Sequence, residues 1–155
     1  MEEVIQKLIE KNKTISTMES CTGGLIANEI TNISGASLVF KFGAVTYSNE
    51  YKMKLGVEKY ILDEYTVYSM ETAKEMSKKI ALYTDSNYGI GITGKFNKKD
   101  PNNPFGRDNE VFISVYDQDN DTFYNQSVAI MDNERPKQKE FVYEEVLKIL
   151  KQIIL

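Results

Sequence analysis

The order of helix-like and strand-like segments limits this chain to few folds. Residues 2–11 place apolar side chains on one helical stripe, residues 14–19 are typical of a short strand, and a second helical stripe begins at Gly24. Such alternation favours a sheet with helices on both faces. Because a hairpin pattern follows near the C-terminus, we predict an α/β fold: a three-layer α/β/α sandwich with a mixed, mostly parallel sheet.

The remaining segments support the same prediction. Each has the periodicity of a strand or a helix and is bounded by turn residues. They are a strand at 38–47, a helical turn at 58–64, a helix after Ser69, a strand at 87–93, a hairpin of 110–117 and 121–131, and a helix at 137–154. A polar loop at 95–110 separates two of the strands.

Composition predicts one globular domain, residues 1–155. The chain is 41% hydrophobic and 27% charged, which is ordinary for a globular protein. No apolar run approaches the roughly 20 residues that span a bilayer, so we expect no membrane association. The acidic N-terminal segment is unlike a secretory signal, and a single cysteine cannot form an internal disulfide. A cytoplasmic location is therefore expected.

Charge and residue usage exclude several kinds of site. A net charge of -4 provides no general attraction for nucleic acid. The absence of histidine removes Ser-His-Asp and Cys-His arrangements and the imidazole metal ligands. We expect neither a metal nor a cofactor, and a hydrolase built from this chain needs another kind of base.

The segment T-M-E-S-C-T-G-G, residues 17–24, is the first candidate site. It joins a predicted strand to a predicted helix and carries a carboxylate, hydroxyls and a thiol. Glycines allow the backbone to approach a ligand, and the N–H groups at a helix start can bind an anion or an oxyanion. The same residue types also favour an ordinary strand-to-helix turn.

Ser20 and Lys52 are the residues from which this chain could build a hydrolytic centre. A serine can be activated by a lysine whose basicity burial has reduced. Ser20 ends the first strand, and Lys52 follows the next strand by a few residues, so the two side chains could converge. The structural alternatives are a helix cap for Ser20 and a solvated surface position for Lys52. Cys21 competes as nucleophile, although a lone cysteine more often serves packing.

Other polar residues allow a functional and a structural interpretation. Glu19 could orient Lys52 or cap the helix, and Thr22 could bind ligand or cap it as well. Thr93 and Gly94 end a strand where α/β sheets often bind ligands, but such a pair is also a common turn. Tyr47 could donate to substrate or cover the core, and Arg135 could pair with a phosphate or with nearby acids.

The motifs, taken in order, resemble a known family. They are E-S-C-T-G-G at 19–24, S-G-A-S at 34–37, Y-S-N-E-x-K at 47–52, L-G-V at 55–57, V-x-S at 67–69 and T-G at 93–94. The chain resembles the C-terminal domain of the competence-damage-inducible protein family CinA, from about residue 4 to the final helix. Stand-alone members of that family are nicotinamide mononucleotide deamidases.

The resemblance implies a Ser/Lys amidohydrolase acting on a small-molecule nucleotide. By motif, the catalytic residues would be Ser20 as the nucleophile, Lys52 as the base and Tyr47 in a supporting role. The substrate-binding positions would be Glu19, Thr22, Gly23, Gly24, Thr93, Gly94 and Arg135. Backbone N–H groups from Thr22 to Gly24 are expected to contribute to an oxyanion site. The resemblance also implies a homodimer.

One segment departs from the family pattern. After T-G the family usually continues I-A-G-P-x-G-G, whereas residues 95–110 here are K-F-N-K-K-D-P-N-N-P-F-G-R-D-N-E. The cations Lys95, Lys98, Lys99 and Arg107 could bind a phosphate in place of the glycine backbone, or the loop could be solvated surface. Three alternatives follow: an active deamidase with an altered phosphate contact, an amidase for another substrate, or a ligand-binding relative without turnover.

Overall fold

A computed structural model of the chain describes residues 1–97 and 101–155. These residues form helices α1 (Glu2–Glu10), α2 (Leu25–Thr31), α3 (Asn49–Lys54), α4 (Lys59–Tyr65), α5 (Met70–Thr84) and α6 (Arg135–Ile154), and a 3-10 helix (Ala36–Leu38). The strands are β1 (Ile15–Glu19), β2 (Phe40–Val45), β3 (Tyr88–Gly94), β4 (Glu110–Asp117) and β5 (Thr122–Ala129). Within these two ranges, no helix is long and apolar enough to cross a bilayer.

The five strands form one mixed sheet in the order β2-β1-β3-β4-β5. Strand β1 is parallel to both neighbours, β4 is antiparallel to β3, and β5 is antiparallel to β4. Four strands therefore point the same way and only β4 is reversed. The carboxyl ends of β1, β2 and β3 meet at one edge of the sheet, which is where the candidate site lies.

Helices cover both faces of the sheet and complete the predicted three layers. On one face, α1 and α2 contact α6 over an apolar cluster that includes Ile15, Ile90 and Ile92 of the sheet. On the other face, α5 packs on β1, β3 and β4, and α4 packs on α5. The predicted α/β/α sandwich with a mixed, mostly parallel sheet is confirmed.

Two glycines of β3 allow α5 to lie directly on the sheet. A Cβ atom at Gly89 would lie 2.1 Å from the carbonyl oxygen of Ser77, and one at Gly91 would lie 2.3 Å from that of Ala73. Both distances are shorter than the closest contacts that Cβ atoms make with other atoms in proteins. The close packing holds β3 in the centre of the sheet, beside β1 and the candidate site.

The structure differs from the predicted elements mainly after β2. No helix was predicted in the motif Y-S-N-E-x-K, but its residues 49–52 form the first part of helix α3. The hydroxyl oxygen of Ser48 accepts a bond from the N–H of Tyr51 and caps this helix. Six residues are too few for helical periodicity to be visible in a sequence. Helix α6 also begins earlier than predicted, at Arg135, with a proline in its first turn.

Candidate active site

The structure brings Ser20 and Lys52 together at the carboxyl edge of the parallel strands. The Nζ atom of Lys52 lies 3.2 Å from Oγ of Ser20 and donates a second hydrogen bond, of 2.7 Å, to the carbonyl oxygen of Thr46. Lys52 is only 1% exposed and Ser20 only 9%. A lysine amine thus meets a serine hydroxyl in a place that is nearly closed to water.

The local fold explains why Lys52 points inward. The N–H of Thr46 donates to the carbonyl oxygen of Glu19, which joins the end of β2 to the end of β1. Helix α3 begins three residues later, and its Lys52 is the residue of this helix that is buried. The side chain therefore runs back along the strand end toward Ser20.

Glu19 is a buried cap for helix α2. Its carboxylate accepts four hydrogen bonds of 2.6 to 3.2 Å: from Oγ1 of Thr22 and from the N–H groups of Gly24, Ile26 and Ala27. An anion at a helix N-terminus is stabilised by the free N–H groups and the helix dipole. Of the two interpretations of Glu19 and Thr22, the geometry therefore supports capping.

These bonds change the expected oxyanion site. The N–H of Gly24 donates to Glu19, and the N–H of Gly23 donates to the carbonyl oxygen of Ser20 at 3.0 Å. These two N–H groups are therefore already hydrogen-bonded within the turn, which argues against their expected part in an oxyanion site. Both glycines have left-handed backbones, with φ of 64° and 95°, so glycine is needed here for the turn itself.

A cavity of about 610 Å³ opens beside the serine and the lysine. It is lined by Ser20, Cys21, Tyr47, Ser48, Asn49, Lys52, Val67, Tyr68, Gly94, Lys95, Phe96, Pro101, Asn102, Asn103 and Arg135. The volume is in the range of small-molecule sites. Among the predicted site residues, the lining includes Ser20, Lys52, Tyr47, Gly94 and Arg135, but not Glu19, Thr22, Gly23, Gly24 or Thr93.

The residues predicted to surround Ser20 and Lys52 differ in their position relative to the cavity. Tyr47 is 66% exposed and lies at the rim. Arg135 is exposed at the start of α6, with its guanidinium carbon 5.9 Å from the centre of the Phe96 ring. Thr93 is fully buried behind the wall, and its hydroxyl donates to the carbonyl oxygen of Val67 at 2.7 Å. The geometry thus gives Thr93 a supporting position, because its bond holds Val67 in the lining.

Cys21 borders the cavity but is poorly suited to act as nucleophile. Burial raises the pKa of its thiol to about 12, and the nearby charge of Lys52 opposes this rise only in part. The thiol is therefore neutral near pH 7, whereas the reactive form of cysteine is the thiolate. Cys21 also belongs to the apolar cluster under α1, α2 and α6, which favours its packing interpretation.

The lining of the cavity includes several residues that were not selected from the sequence. Tyr68, Phe96, Asn102 and Asn103 line the cavity, and the side-chain amide of Asn49 donates to Oδ1 of Asn103 at 3.0 Å. The polar loop therefore reaches across to α3. Its missing glycines had marked it as unusual, but no local pattern indicated that it would form a cavity wall.

The four loop cations named from the sequence are not equivalent in the structure. Lys95 lines the cavity and is only 3% exposed. Arg107 is exposed and does not contribute to the lining. Lys98 and Lys99 lie outside the described residues.

The sheet and the cavity define the class of protein: a three-layer α/β domain with a serine and a lysine hydrogen-bonded at the carboxyl edge of its parallel strands. Comparison with known families gives a match to the description "CinA C-terminal domain" over residues 1–154. The chain belongs to the CinA C-terminal domain family, as the motifs had indicated.

Individual relatives agree with this assignment. A competence-damage inducible protein of Thermoanaerobacter sp. (strain X514) is 51% identical over 96 residues, which are 61% of this chain and 23% of that protein. A protein of the same name from Clostridium acetobutylicum (strain ATCC 824) is 54% identical over 88 residues, 56% of this chain and 21% of that protein. The matched part is less than a quarter of these longer relatives.

Solved structures share the fold. A CinA superfamily protein from Klebsiella pneumoniae 700603 superposes with a TM-score of 0.89 at 20% identity, covering 99% of this chain and 94% of that one. The competence/damage inducible protein CihA from Agrobacterium tumefaciens gives a TM-score of 0.81 at 28% identity, with coverages of 97% and 94%. The first of these likenesses concerns the fold alone.

Proposed function

We propose that this chain is an amidohydrolase that converts nicotinamide mononucleotide to nicotinic acid mononucleotide and ammonia. The observation that carries the proposal is the hydrogen bond between Lys52 and Ser20 on the wall of a ligand-sized cavity. The family resemblance supplies the substrate. The substrate is a small molecule, and the site as proposed needs neither a metal nor a cofactor.

The chemistry divides into two steps. Neutral Lys52 takes the proton of Ser20 while Oγ attacks the carboxamide carbon of the substrate. The tetrahedral intermediate breaks its C–N bond, the nitrogen receives a proton from Lys52, and ammonia leaves. Water, deprotonated by the same amine, then attacks the acyl-serine ester; the C–Oγ bond breaks, Oγ receives the proton back from Lys52, and the carboxylic acid is released. One water is consumed and one ammonia formed, and the serine and the lysine return to their starting states.

Lys52 must be neutral to act as a base, so the proposal requires its pKa to lie well below the reference value of about 10.4. Burial acts in this direction, because removal from water disfavours the ammonium form. The hydrogen bond to the Thr46 carbonyl oxygen would orient a neutral amine as well as an ammonium group. A neutral amine still has two N–H donors, and its lone pair can point toward the Ser20 hydroxyl.

We assign the stabilisation of the oxyanion to a backbone N–H group that makes no hydrogen bond to an oxygen within the turn. The N–H groups of Ser20 and Gly23 donate to the carbonyl oxygens of Ile92 and Ser20. In the described part of the chain, that of Cys21 donates to no oxygen, and Cys21 lines the cavity directly after the nucleophile. An N–H group in that place stabilises the charge that develops on the attacked carbonyl.

The first test is ammonia release from nicotinamide mononucleotide by purified protein. We expect turnover at pH 7, increasing with pH as Lys52 loses its proton, and much weaker turnover of free nicotinamide.

The Cys21→Ala variant should keep kcat within about threefold of wild type, because a thiol with a pKa of about 12 takes no part in the reaction. Absence of ammonia release from folded wild type would reject the proposed activity, and loss of turnover in Cys21→Ala would reject the serine mechanism.

A second candidate function is a ligand-binding domain without turnover. The observation that favours it is that Nζ of Lys52 lies closer to the Thr46 carbonyl oxygen, at 2.7 Å, than to Ser20. A lysine that remains an ammonium would stabilise the strand end and could not accept a proton. Binding of nicotinamide mononucleotide without ammonia release would support this function, whereas release from another amide alone would indicate a different substrate.

We also propose a homodimer, as the resemblance implies. Strand β2 lies at an edge of the sheet, and Leu38, Phe42 and Val45 on and beside it are 37% to 67% exposed. An exposed apolar edge strand is a surface that a second copy can cover. Light scattering coupled to size-exclusion chromatography should give twice the chain mass for wild type and a shift toward monomer for Phe42→Asp. A monomeric wild type at micromolar concentration would contradict the proposal.

A further inference from the structure

The described lining of the cavity carries positive charge only. Lys95 and Arg135 line it as cations, Lys52 lines it as the base that is neutral in the proposed reaction, and none of the lining residues in the two described ranges is an Asp or a Glu. The chain as a whole has a net charge of -4, so this local excess of cations runs against the overall charge. A cavity with this lining attracts an anionic ligand.

Lys95 is the cation of this set that the proposed chemistry does not use and that is buried. It is only 3% exposed, and within the described residues its Nζ atom has one hydrogen bond, a long one of 3.4 Å to the Gly106 carbonyl oxygen. It also forms an ion pair with Oδ1 of the exposed Asp108 at 3.8 Å and lies 4.9 Å from the centre of the Tyr68 ring. Good hydrogen bonds from nitrogen to oxygen measure about 2.7 to 3.2 Å.

The ammonium group of Lys95 therefore has more N–H donors than close acceptors. It carries three N–H donors, and among the described residues only one carbonyl oxygen is within hydrogen-bonding range, at the long limit. A buried ammonium group without a close hydrogen bond is costly, and the ion pair with Asp108 is too long to supply one. An anionic group of a ligand would supply a close acceptor, because a hydrogen bond between two charged groups is about twice as strong as a neutral one.

The main chain on both sides of this ammonium group is also held in place. The main-chain N–H of Lys95 donates to the carbonyl oxygen of Glu110 at 3.0 Å, which continues the pairing of β3 with β4. The backbone at Gly106 has a φ of 85° and packs against the side chain of Tyr68. The position is therefore organised before any ligand arrives, and little order has to be imposed on binding.

Lys95 lies one strand away from the nucleophile. Ser20 follows β1 and Lys95 follows β3, and these two strands are parallel neighbours. Both residues therefore lie at the same edge of the sheet and on the wall of the same cavity. One ligand can place its amide at Ser20 and an anionic group at Lys95.

We propose that Lys95 is a specificity-determining residue that binds a phosphate monoester on the substrate, in place of the glycine-rich backbone of the family loop. The choice of phosphate follows from its several acceptor oxygens and its charge of nearly -2, which can engage Lys95 and also the Arg135 guanidinium on the same cavity. The identity of the reacting amide rests on the proposed function, but the anion site does not.

The direct test measures binding of inorganic phosphate to the full chain by isothermal titration calorimetry. Lys95→Met keeps most of the side-chain volume and removes the charge, so phosphate affinity should fall by at least about tenfold. Lys95→Arg should recover part of the loss. The matched control, Lys7→Met, removes a positive charge that is exposed on α1 and paired with Glu10, and it should bind phosphate like wild type.

A kinetic test separates specificity from catalysis. Lys95→Met should raise KM for nicotinamide mononucleotide by about tenfold or more while kcat stays within about threefold. Its kcat/KM for nicotinamide riboside, the same compound without the phosphate, should not change. Equal losses for both compounds, or phosphate binding by Lys95→Met as tight as that of wild type, would overturn the assignment. If wild type releases no ammonia at all, the proposed function fails, but the phosphate titration still decides the role of Lys95.

Discussion

Replacement of Ser20 by alanine is expected to reduce ammonia release from nicotinamide mononucleotide by at least about 10³-fold, because it removes the atom that attacks the carboxamide. The Ser20 hydroxyl is the group that lies 3.2 Å from Nζ of Lys52. The adjacent thiol of Cys21 stays protonated, with a pKa of about 12. The quantity to measure is kcat from initial rates of ammonia formation, with contaminating amidase excluded by two independent preparations.

A matched serine on the same cavity serves as the control for this substitution. Ser48 also lines the cavity, and its hydroxyl only caps α3 through a long 3.4 Å bond. Ser48→Ala should therefore keep kcat within about fivefold of the wild-type value.

Because the nucleophile and its base act as a unit, the kcat of Lys52→Met should be reduced as much as that of Ser20→Ala, and the double variant should be no slower than either one. Wild-type rates for Ser20→Ala would reject the serine mechanism, and wild-type rates for Lys52→Met would reject the lysine as base.

The architecture could be predicted because its signals are local. The stripe of Val4, Ile5 and Leu8 identifies α1, and all three side chains are buried in the structure. Alternation from Tyr88 to Thr93 identifies β3 in the same way, although the strand proves buried on both faces. Such patterns repeat within a few residues, so they can be recognised without knowledge of the contacts that the chain makes later.

The arrangement of the site could be predicted only in part. The motifs selected Ser20 and Lys52, which are 32 residues apart in sequence and meet in the fold. They did not select Tyr68, Asn102 or Asn103, because nothing local distinguishes a loop residue that lines a cavity from one that faces solvent. Asn103 contacts α3 through Asn49, and that helix was itself too short to detect.

Glu19 shows how a structural group can look functional in the sequence. A glutamate directly before the nucleophile is well placed to orient the lysine base. In the structure its two oxygens are taken up by one hydroxyl and three backbone N–H groups at the start of α2. The motif therefore combines two tasks: Ser20 faces the cavity, while Glu19 and the two glycines form the turn that presents it.

Replacement of Glu19 by alanine is expected to lower the free energy of unfolding by about 3 kcal/mol or more. The carboxylate is fully buried, and its removal leaves four donors without their acceptor, each of which costs free energy when it is shielded from water. Since whole domains are stable by only about 5 to 15 kcal/mol, the loss should be evident in urea denaturation as a lower midpoint. The slope of the transition should stay the same if the native fold persists.

Glu19→Gln tests which part of this interaction matters. Glutamine keeps the shape and one acceptor oxygen, and the favourable amide orientation places this oxygen where Oε2 bonds Thr22, Gly24 and Ile26. Its NH₂ group then meets the N–H of Ala27, donor against donor, and the negative charge at the helix start is lost. We expect an intermediate loss, of about 1 to 2 kcal/mol. Glu10→Ala, which removes an exposed carboxylate paired with Lys7, should change the unfolding free energy by less than about 0.5 kcal/mol. If Glu19→Ala were as stable as Glu10→Ala but inactive, capping would not be the task of Glu19, and a direct part in catalysis would have to be assigned to it.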